Sequence, residues 1–147
     1  MPKHDTIGAW AKRCYLAGRA AMDNVLRPFD LGATQWYVLY HLAEDGPTMQ
    51  RDLLQTLQVE RATLSVIVGS LVRKGYVEQM PDRTDQRLKL LRLSPAGSKL
   101  WSELPDLTFI HQVAFGDIDA ASLETASRVL RTATERLENL LLNGADA

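Results

Sequence analysis

The side chains best suited to binding a polyanion lie in the middle of the chain. Residues 46–94 hold eight basic and five acidic side chains, whereas residues 1–45 hold five of each and residues 95–147 hold four against eight. The formal net charge of the 147 residues is −1, so the basic excess is local. A local excess of arginine and lysine attracts phosphate groups. We therefore expect a nucleic acid, if one is bound, to meet the middle segment.

One group of candidate DNA contacts lies on a predicted helix over Glu60–Lys74. With Leu64 at the centre of its buried face, steps of 100° per residue leave an outward face of small side chains. Small groups let a helix sit deep in the major groove, where a serine can hydrogen-bond a base edge and methyl groups can touch thymine. Its terminal arginine can instead be a solvated cation that favours the helix dipole. The candidates on this helix are Arg61, Ala62, Thr63, Ser65, Val66, Gly69 and Arg73.

A second group lies on a predicted hairpin. The segments Tyr76–Met80 and Leu88–Leu93 are rich in β-forming residues and flank the polar run Asp82-Arg83-Thr84-Asp85-Gln86-Arg87. Arg83 and Arg87 suit the narrow, negative minor groove. Either arginine can instead form a structural salt bridge with a neighbouring aspartate, and the sequence leaves both alternatives open.

Helices are predicted before this segment. Residues 5–26 place apolar and small residues at spacings of three and four, and Pro28 ends that helix. Thr34 is expected to cap a second helix over Gln35–Ala43, and Thr48 to cap a short third one.

Helices are also predicted after it. Ser94 and Pro95 form a cap followed by proline, which starts a fifth helix that runs to about Phe115 with a kink or break at Pro105. Asp119 is expected to cap the last helix, whose apolar residues alternate at spacings of three and four. This pattern is typical of helix-on-helix packing. The residues expected in a dimer interface are Ile7, Leu123, Leu130, Leu137 and Leu140.

Two short helices with a tight break, followed by a hairpin with a basic tip, predict a winged helix-turn-helix. The expected fold is mainly α with a small β-hairpin wing, in a single domain. Within it, residues 1–30 and 95–147 would form a helical dimerisation region, and residues 31–94 the winged DNA-binding lobe.

Three stretches resemble the multiple-antibiotic-resistance regulator (MarR) family of bacterial transcription factors. They are Leu31–Leu39, Val59–Gly75 with its Thr63-Leu64-Ser65 core, and the wing run Asp82–Arg87 followed by Leu91-Arg92-Leu93-Ser94-Pro95-Ala96-Gly97. The resemblance implies a homodimeric regulator, chiefly a repressor, in which the first and last two helices intertwine. It also implies binding of double-stranded DNA at a pseudo-palindromic operator and, for many members, a small aromatic acid as the effector that releases the DNA.

The chain departs from the family pattern on the recognition helix. Family members commonly carry an arginine directly after the serine and further charges one turn later, whereas this chain has Val66, Gly69 and Ser70. We therefore expect the wing to supply a larger share of the affinity.

A candidate effector site is expected between the first two helices and the DNA-binding lobe. Aromatic rings offer apolar walls, and an arginine or histidine offers a charge for a carboxylate. Any one of these residues can instead simply pack the core. The candidates are Trp10, Arg13, Trp36, Tyr40 and His41.

Cys14 is the only cysteine, which excludes a disulfide framework and fits a reducing, cytoplasmic compartment. The family also has an organic-hydroperoxide-sensing branch, whose reactive cysteine in the first helix lies one turn from a tyrosine. Here the residue four positions on is Gly18. We expect Cys14 to act as a small buried hydrophobe, with redox sensing as the alternative.

Other classes of protein fit less well. The histidines are scattered and the sequence has no His-Glu-x-x-His, phosphate loop or Gly-x-Ser-x-Gly elbow, so we predict no enzyme, catalytic residue, metal or cofactor. No stretch has the length and apolarity of a membrane helix. A protein-binding antagonist of another regulator is the remaining alternative, because the recognition helix carries few charges.

Overall fold

The structure is a computed structural model that describes residues 5–85 and 87–144. The chain divides into two compact units, with the boundary between Leu107 and Thr108. The first unit contains α1 (Ile7–Leu26), a 3-10 turn (Arg27–Phe29), α2 (Ala33–Asp45), β1 (Thr48–Met49), α3 (Gln50–Leu57), α4 (Arg61–Arg73), β2 (Val77–Pro81), β3 (Lys89–Leu93) and α5 (Pro95–Glu103). The second unit contains α6 (Thr108–Phe115) and α7 (Ala120–Asn143).

The core of the first unit is formed by aliphatic side chains from its helices and sheet. The buried stripe predicted for α4 consists of Leu64, Ile67, Val68 and Leu71. It is confirmed, because Ile67 is half-buried against the core and the other three residues are fully buried. The same face of α4 packs against α2, α3 and β2. Burial of one side of α4 leaves its opposite side to solvent. The core cluster comprises Leu26, Leu31, Val38, Leu39, Leu42, Leu53, Leu64, Val68, Leu71, Val77 and Leu91.

The wing is part of a three-stranded antiparallel sheet in the order β1-β3-β2. The predicted hairpin is confirmed, with Val77 opposite Leu93 and Pro81 opposite Lys89. Strand β1 is not predicted from the sequence. The expectation that Thr48 caps α3 is wrong: Thr48 pairs with Leu91 of β3, its hydroxyl donates to the Gly46 carbonyl at 2.9 Å, and α3 begins only after Met49. Two residues are too few for alternation to reveal a strand.

The start of α2 is capped from a distance. The expectation that Thr34 caps this helix is wrong, because α2 begins at Ala33 and Thr34 lies inside it, buried, where its hydroxyl accepts a hydrogen bond from Arg19. The backbone N–H of Ala33 donates to the carboxylate of Asp23 on α1 at 2.7 Å. Because the capping residue is ten positions away, a local sequence pattern does not contain it.

The caps predicted for α5 and α7 are confirmed. Ser94 accepts a hydrogen bond from the N–H of Gly97 at 3.0 Å, and Asp119 accepts one from the N–H of Ser122 at 2.9 Å. The chain also breaks at Pro105, since α5 ends at Glu103 and α6 begins at Thr108.

The expectation that Cys14 is buried is wrong, because this residue is exposed. Ile7 and Trp10, on the same predicted apolar face of α1, are exposed as well, and the fully buried residue of this helix is Leu26 at its end. Three of the expected dimer residues in α7 are also exposed: Leu130, Leu137 and Leu140. Apolar faces are therefore left uncovered in both units of the isolated chain.

Candidate nucleic-acid interface

The outward face of α4 consists of small, exposed side chains, as predicted. Ala62, Thr63 and Ser65 are exposed, and Val66 exposes 70% of its surface. Arg61 is exposed in the first turn of the helix. The face offers hydroxyl and methyl groups, which are kinds of group that can read base edges in a major groove.

Arg73 folds back along α4 towards Gly69. A Cβ at position 69 would lie 3.4 Å from a terminal guanidinium nitrogen of Arg73. The guanidinium of this exposed arginine thus lies near Gly69 on the outward face of α4.

A chain of polar side chains joins α4 to α3 and to the wing. Gln79 of β2 donates from Nε2 to Oε1 of Gln50 at 2.8 Å, and Gln50 Nε2 donates to Ser65 Oγ at 3.5 Å. Ser65 is a predicted contact, whereas Gln50 and Gln79 are not. Their sequence separation of 29 residues gives no signal that they meet.

The end of α4 is fixed by two contacts that the sequence does not indicate. Gln35 Nε2 of α2 donates to Ser70 Oγ at 3.2 Å, and the ammonium of Lys74 lies 3.3 Å from a carboxylate oxygen of Asp30. Lys74 also donates to the carbonyl of Asp30. Lys74 therefore anchors the end of α4 to the turn between α1 and α2.

The two wing arginines have different surroundings. Arg87 forms a two-pronged salt bridge with Asp85, with both nitrogen–oxygen distances at 3.0 Å. Arg83 is exposed, and its guanidinium has no hydrogen bond or ion pair to any residue in the described ranges. Of the two alternatives left open by the sequence, the structural salt bridge is therefore that of Arg87. Gln86 lies outside the described residues.

Asp82 organises the other side of the wing tip. Its carboxylate accepts hydrogen bonds from the N–H and hydroxyl of Thr84 and from the N–H of Asp85. The Thr84 hydroxyl is the main cause that lowers the pKa of Asp82, and the Arg87 guanidinium likewise lowers the pKa of Asp85. Asp85 in turn raises the pKa of Arg87. Both carboxylates are therefore ionised at neutral pH.

The base of the wing carries a further ion pair. Arg92 Nε on β3 lies 2.6 Å from a carboxylate oxygen of Glu78, directly opposite on β2. Arg92 is therefore engaged within the hairpin, and part of the basic excess of the middle segment is neutralised locally.

The effector candidates fall into two groups. Trp36 stacks on Tyr40 with ring centroids 5.4 Å apart, and Tyr40 meets His41 edge-on at 5.2 Å. Trp101 of α5, which the sequence analysis misses, lies 5.4 Å from the Trp36 ring. Its place in this cluster depends on packing between distant helices.

The other group is on α1. The Arg13 guanidinium lies 5.0 Å from the centre of the Trp10 ring, and the ring N–H of Trp10 donates to Asp5 at 2.6 Å. Among the described residues, no ring contact joins Trp10 to Trp36 or Tyr40.

A cleft in the first unit adjoins the aromatic cluster through Trp101. Its volume is about 390 Å³, and none of the five expected effector residues lines it. The lining residues are Leu42, Ala43, Pro47, Arg92, Leu93, Ser98 and Trp101.

Two other kinds of feature, metal sites and membrane-spanning helices, concern the same described residues. Within residues 5–85 and 87–144, no group of histidine, cysteine, aspartate or glutamate side chains is placed to hold a metal ion. None of the helices in these ranges combines the length and apolarity needed to cross a membrane.

Several known proteins are similar to this chain in sequence. The MarR protein of Salmonella typhimurium is 32% identical over 79 residues, which are 54% of this chain and 55% of that protein. The chain thus spans about half the length of that relative. A Pseudomonas putida protein described as the transcriptional repressor IacR is 24% identical over 94% of this chain and 83% of its own length.

Among solved structures, a Staphylococcus aureus MepR–DNA complex is similar over 90% of this chain and 98% of that chain. The TM-score is 0.80 at 24% identity, which establishes the winged-helix fold. Residues 29–88 match the model of the MarR family. Together with the sequence motifs, these matches show that residues 29–88 of the chain are similar to the MarR family.

Proposed function

We propose that the chain is a dimeric, sequence-specific, DNA-binding regulator of transcription. The observation that carries this proposal is the exposed, small-residue face of α4 beside a wing whose Arg83 is unpaired among the described residues. A face of this kind fits the major groove, and a free wing arginine fits the minor groove.

The proposed contacts divide between bases and phosphates. Ser65 bonds a base edge, while Ala62 and Val66 touch thymine methyl groups. Arg61 and Arg73, at the two ends of α4, neutralise phosphates or reach guanine. Thr63 and Gly69 complete the surface by allowing close approach. Arg87 contributes chiefly by holding the wing tip in shape, because Asp85 already pairs with its charge.

The proposed dimer joins the helical regions, residues 1–30 and 95–147. Ile7, Leu130, Leu137 and Leu140 are exposed in the isolated chain, and Leu123 is half-buried. Exposed leucines that repeat along a helix gain stability by packing on a second helix. Two copies would present two reading heads to a pseudo-palindromic operator. The repressor description of the Pseudomonas putida relative supports repression.

The descriptions of similar proteins support the class that we propose. Two Pseudomonas putida relatives are described as transcriptional repressors, which supports a non-catalytic role. We propose that the protein acts in the cytoplasm. We assign no catalytic residue, metal or cofactor.

An effector site is a further part of the proposal. On α2, Trp36 stacks on Tyr40, which meets His41 edge-on, and on α1 Trp10 forms a cation–π pair with Arg13. A small aromatic carboxylate would place its ring on such walls and its charge on Arg13 or His41. A ligand can bind more tightly to a dimer whose two DNA-binding lobes are spaced differently from the major-groove repeat of about 34 Å. Such a ligand lowers the affinity for DNA by the difference between its own affinities for the two spacings.

Selection of bound fragments from a random DNA pool tests the proposed function. We expect the purified wild-type chain to enrich an inverted repeat, with affinity that falls steeply as salt rises because bound phosphates release counterions. If the chain retains no DNA at low salt, the proposal is contradicted, and the alternative of an antagonist that binds another regulator is favoured.

A further inference from the structure

We propose that Gln50 and Gln79 set the base preference of Ser65 by fixing the direction of its hydroxyl hydrogen. This inference rests on the proposed function, in which α4 lies in the major groove. It makes two residues outside α4 specificity determinants, although neither is required to touch a base.

The oxygen and the nitrogen of the Gln50 amide have different partners in the structure. Gln79 Nε2 donates to Gln50 Oε1 at 2.8 Å, so the oxygen of Gln50 faces β2. The amide nitrogen of Gln50 consequently faces α4, where it lies 3.5 Å from Ser65 Oγ. Gln50 is half-buried at the first position of α3, which restricts the rotation of its side chain.

The orientation of Gln50 determines what Ser65 offers to DNA. An amide NH₂ group donates and does not accept, so Ser65 Oγ is the acceptor in this contact. The hydroxyl hydrogen of Ser65 is then free to point away from Gln50. Because Ser65 is exposed on the outward face of α4, it presents a donor to the groove.

A donor distinguishes the bases by their major-groove edges. Guanine offers N7 and O6 as acceptors, adenine offers N7, and thymine offers O4, whereas cytosine presents only its N4 donor. The wild-type chain is therefore expected to disfavour cytosine at the base that Ser65 contacts.

Two different substitutions should reverse this preference. In Gln50→Glu, the carboxylate accepts from both Gln79 and Ser65, so the serine turns its hydrogen inward and offers lone pairs to the groove. In Gln79→Glu, the new carboxylate accepts from Gln50 Nε2, which turns Gln50 Oε1 towards Ser65. Both variants should gain preference for cytosine N4 or adenine N6 by about fivefold, the value of one hydrogen bond.

The charge introduced by each glutamate needs a matched control. Gln55 is exposed on another face of α3, so Gln55→Glu adds the same charge to the same helix without touching Ser65. Gln55→Glu should weaken binding to all operators alike. In a Ser65→Ala background, Gln50→Glu should also produce no change in base preference.

The base pair that Ser65 contacts is first identified as the position at which Ser65→Ala loses its sequence preference. Each variant is then tested in competitive binding to operators that differ only at this base pair. A shift of Gln50→Glu and Gln79→Glu towards the same bases, absent from Gln55→Glu, supports the inference. An unchanged order of preference in both variants overturns it while leaving the proposed function intact. Failure of the wild-type chain to bind any operator would overturn the proposed function, and this inference with it.

Discussion

At the residue scale, Arg83 and Arg87 lie four positions apart in one wing tip but have different electrostatic surroundings. Arg83→Ala should weaken binding to many DNA sequences and reduce the slope of log K against log salt by about one per head, or about two per dimer. Arg87→Ala should reduce that slope less, because Asp85 already pairs with its guanidinium. Titrations of one operator at several salt concentrations measure both slopes.

Lys99→Ala is the control for this comparison. Lys99 is an exposed cation on α5, outside the wing and α4, so its removal should leave the slope near that of the wild-type chain. Equal reductions for Arg83→Ala and Arg87→Ala would show that the salt bridge to Asp85 opens on DNA.

The carboxylates of the wing tip predict a dependence on pH. Hydrogen bonds from Thr84 and Arg87 lower the pKa of Asp82 and Asp85 below the ordinary value of 3.8. Because these pKa values are lower in the folded state, the stabilisation of the tip is complete above 3.8 and is lost as the pH falls through the lowered values. The amide resonances of Thr84 and Arg87 should stay constant from about pH 8 to 5 and move only below the ordinary carboxyl pKa.

Asp82→Asn serves as the reference for that titration. The asparagine does not titrate, so the acid-induced movement of the Thr84 resonance should disappear while that of Arg87 persists. Movement of both wild-type resonances near neutral pH would contradict the assignment of these shifts to the two aspartates.

At the element scale, α5 approaches the start of the wing at Gly97. A Cβ at this position would lie 2.0 Å from the carbonyl oxygen of Tyr76, and the N–H of Ser94 donates to that same oxygen at 3.0 Å. Gly97→Ala should therefore force the helix away from the strand and lower the free energy of unfolding by about 1–3 kcal/mol.

Urea unfolding monitored by circular dichroism measures this loss. Ser98→Ala, at the next, exposed position of α5, should change stability by no more than about 0.5 kcal/mol. A Gly97→Ala variant as stable as the Ser98→Ala variant would show that α5 and the wing are not held together at this point.

The helices and strands also show which structural features could be predicted from residues close together in the sequence. The stripe of α4, the hairpin and the Ser94 cap each depend on residues a few positions apart, and all three could be predicted. Strand β1 and the Asp23 cap of α2 depend on residues brought together only by tertiary packing. The same distinction applies to the candidate site. The outward face of α4 follows from helical periodicity and could be predicted.

The polar chain from Gln79 to Ser65 and the position of Trp101 beside Trp36 do not follow from any local pattern. The sequence could show that one wing arginine had a carboxylate within reach. It could not show which one, because that choice depends on the conformation of the turn between the two strands.

At the scale of the whole molecule, the exposed leucines of α7 predict that folding and association are coupled. Leu130→Asp with Leu137→Asp would place two charges in the proposed interface, where burial without partners is strongly unfavourable. We expect a monomeric or unfolded protein, observed by sedimentation and circular dichroism.

Thr125→Asp with Asn139→Asp provides a control with the same added charge. Both positions are exposed on the side of α7 away from Leu130, so this double variant should remain a dimer. A folded dimer in the leucine double variant would show that the interface lies elsewhere.

The salt bridge between Arg87 and Asp85 has a consequence for the time that the proposed regulator would need to find an operator. Binding to arbitrary DNA depends almost wholly on cations that neutralise phosphates. A wing that holds one of its two arginines against a carboxylate binds such DNA more weakly, so each encounter with a wrong sequence is short. We expect the chain to search a genome mainly by repeated dissociation and rebinding, with little sliding, and to rely on the fit of α4 to recognise the correct site.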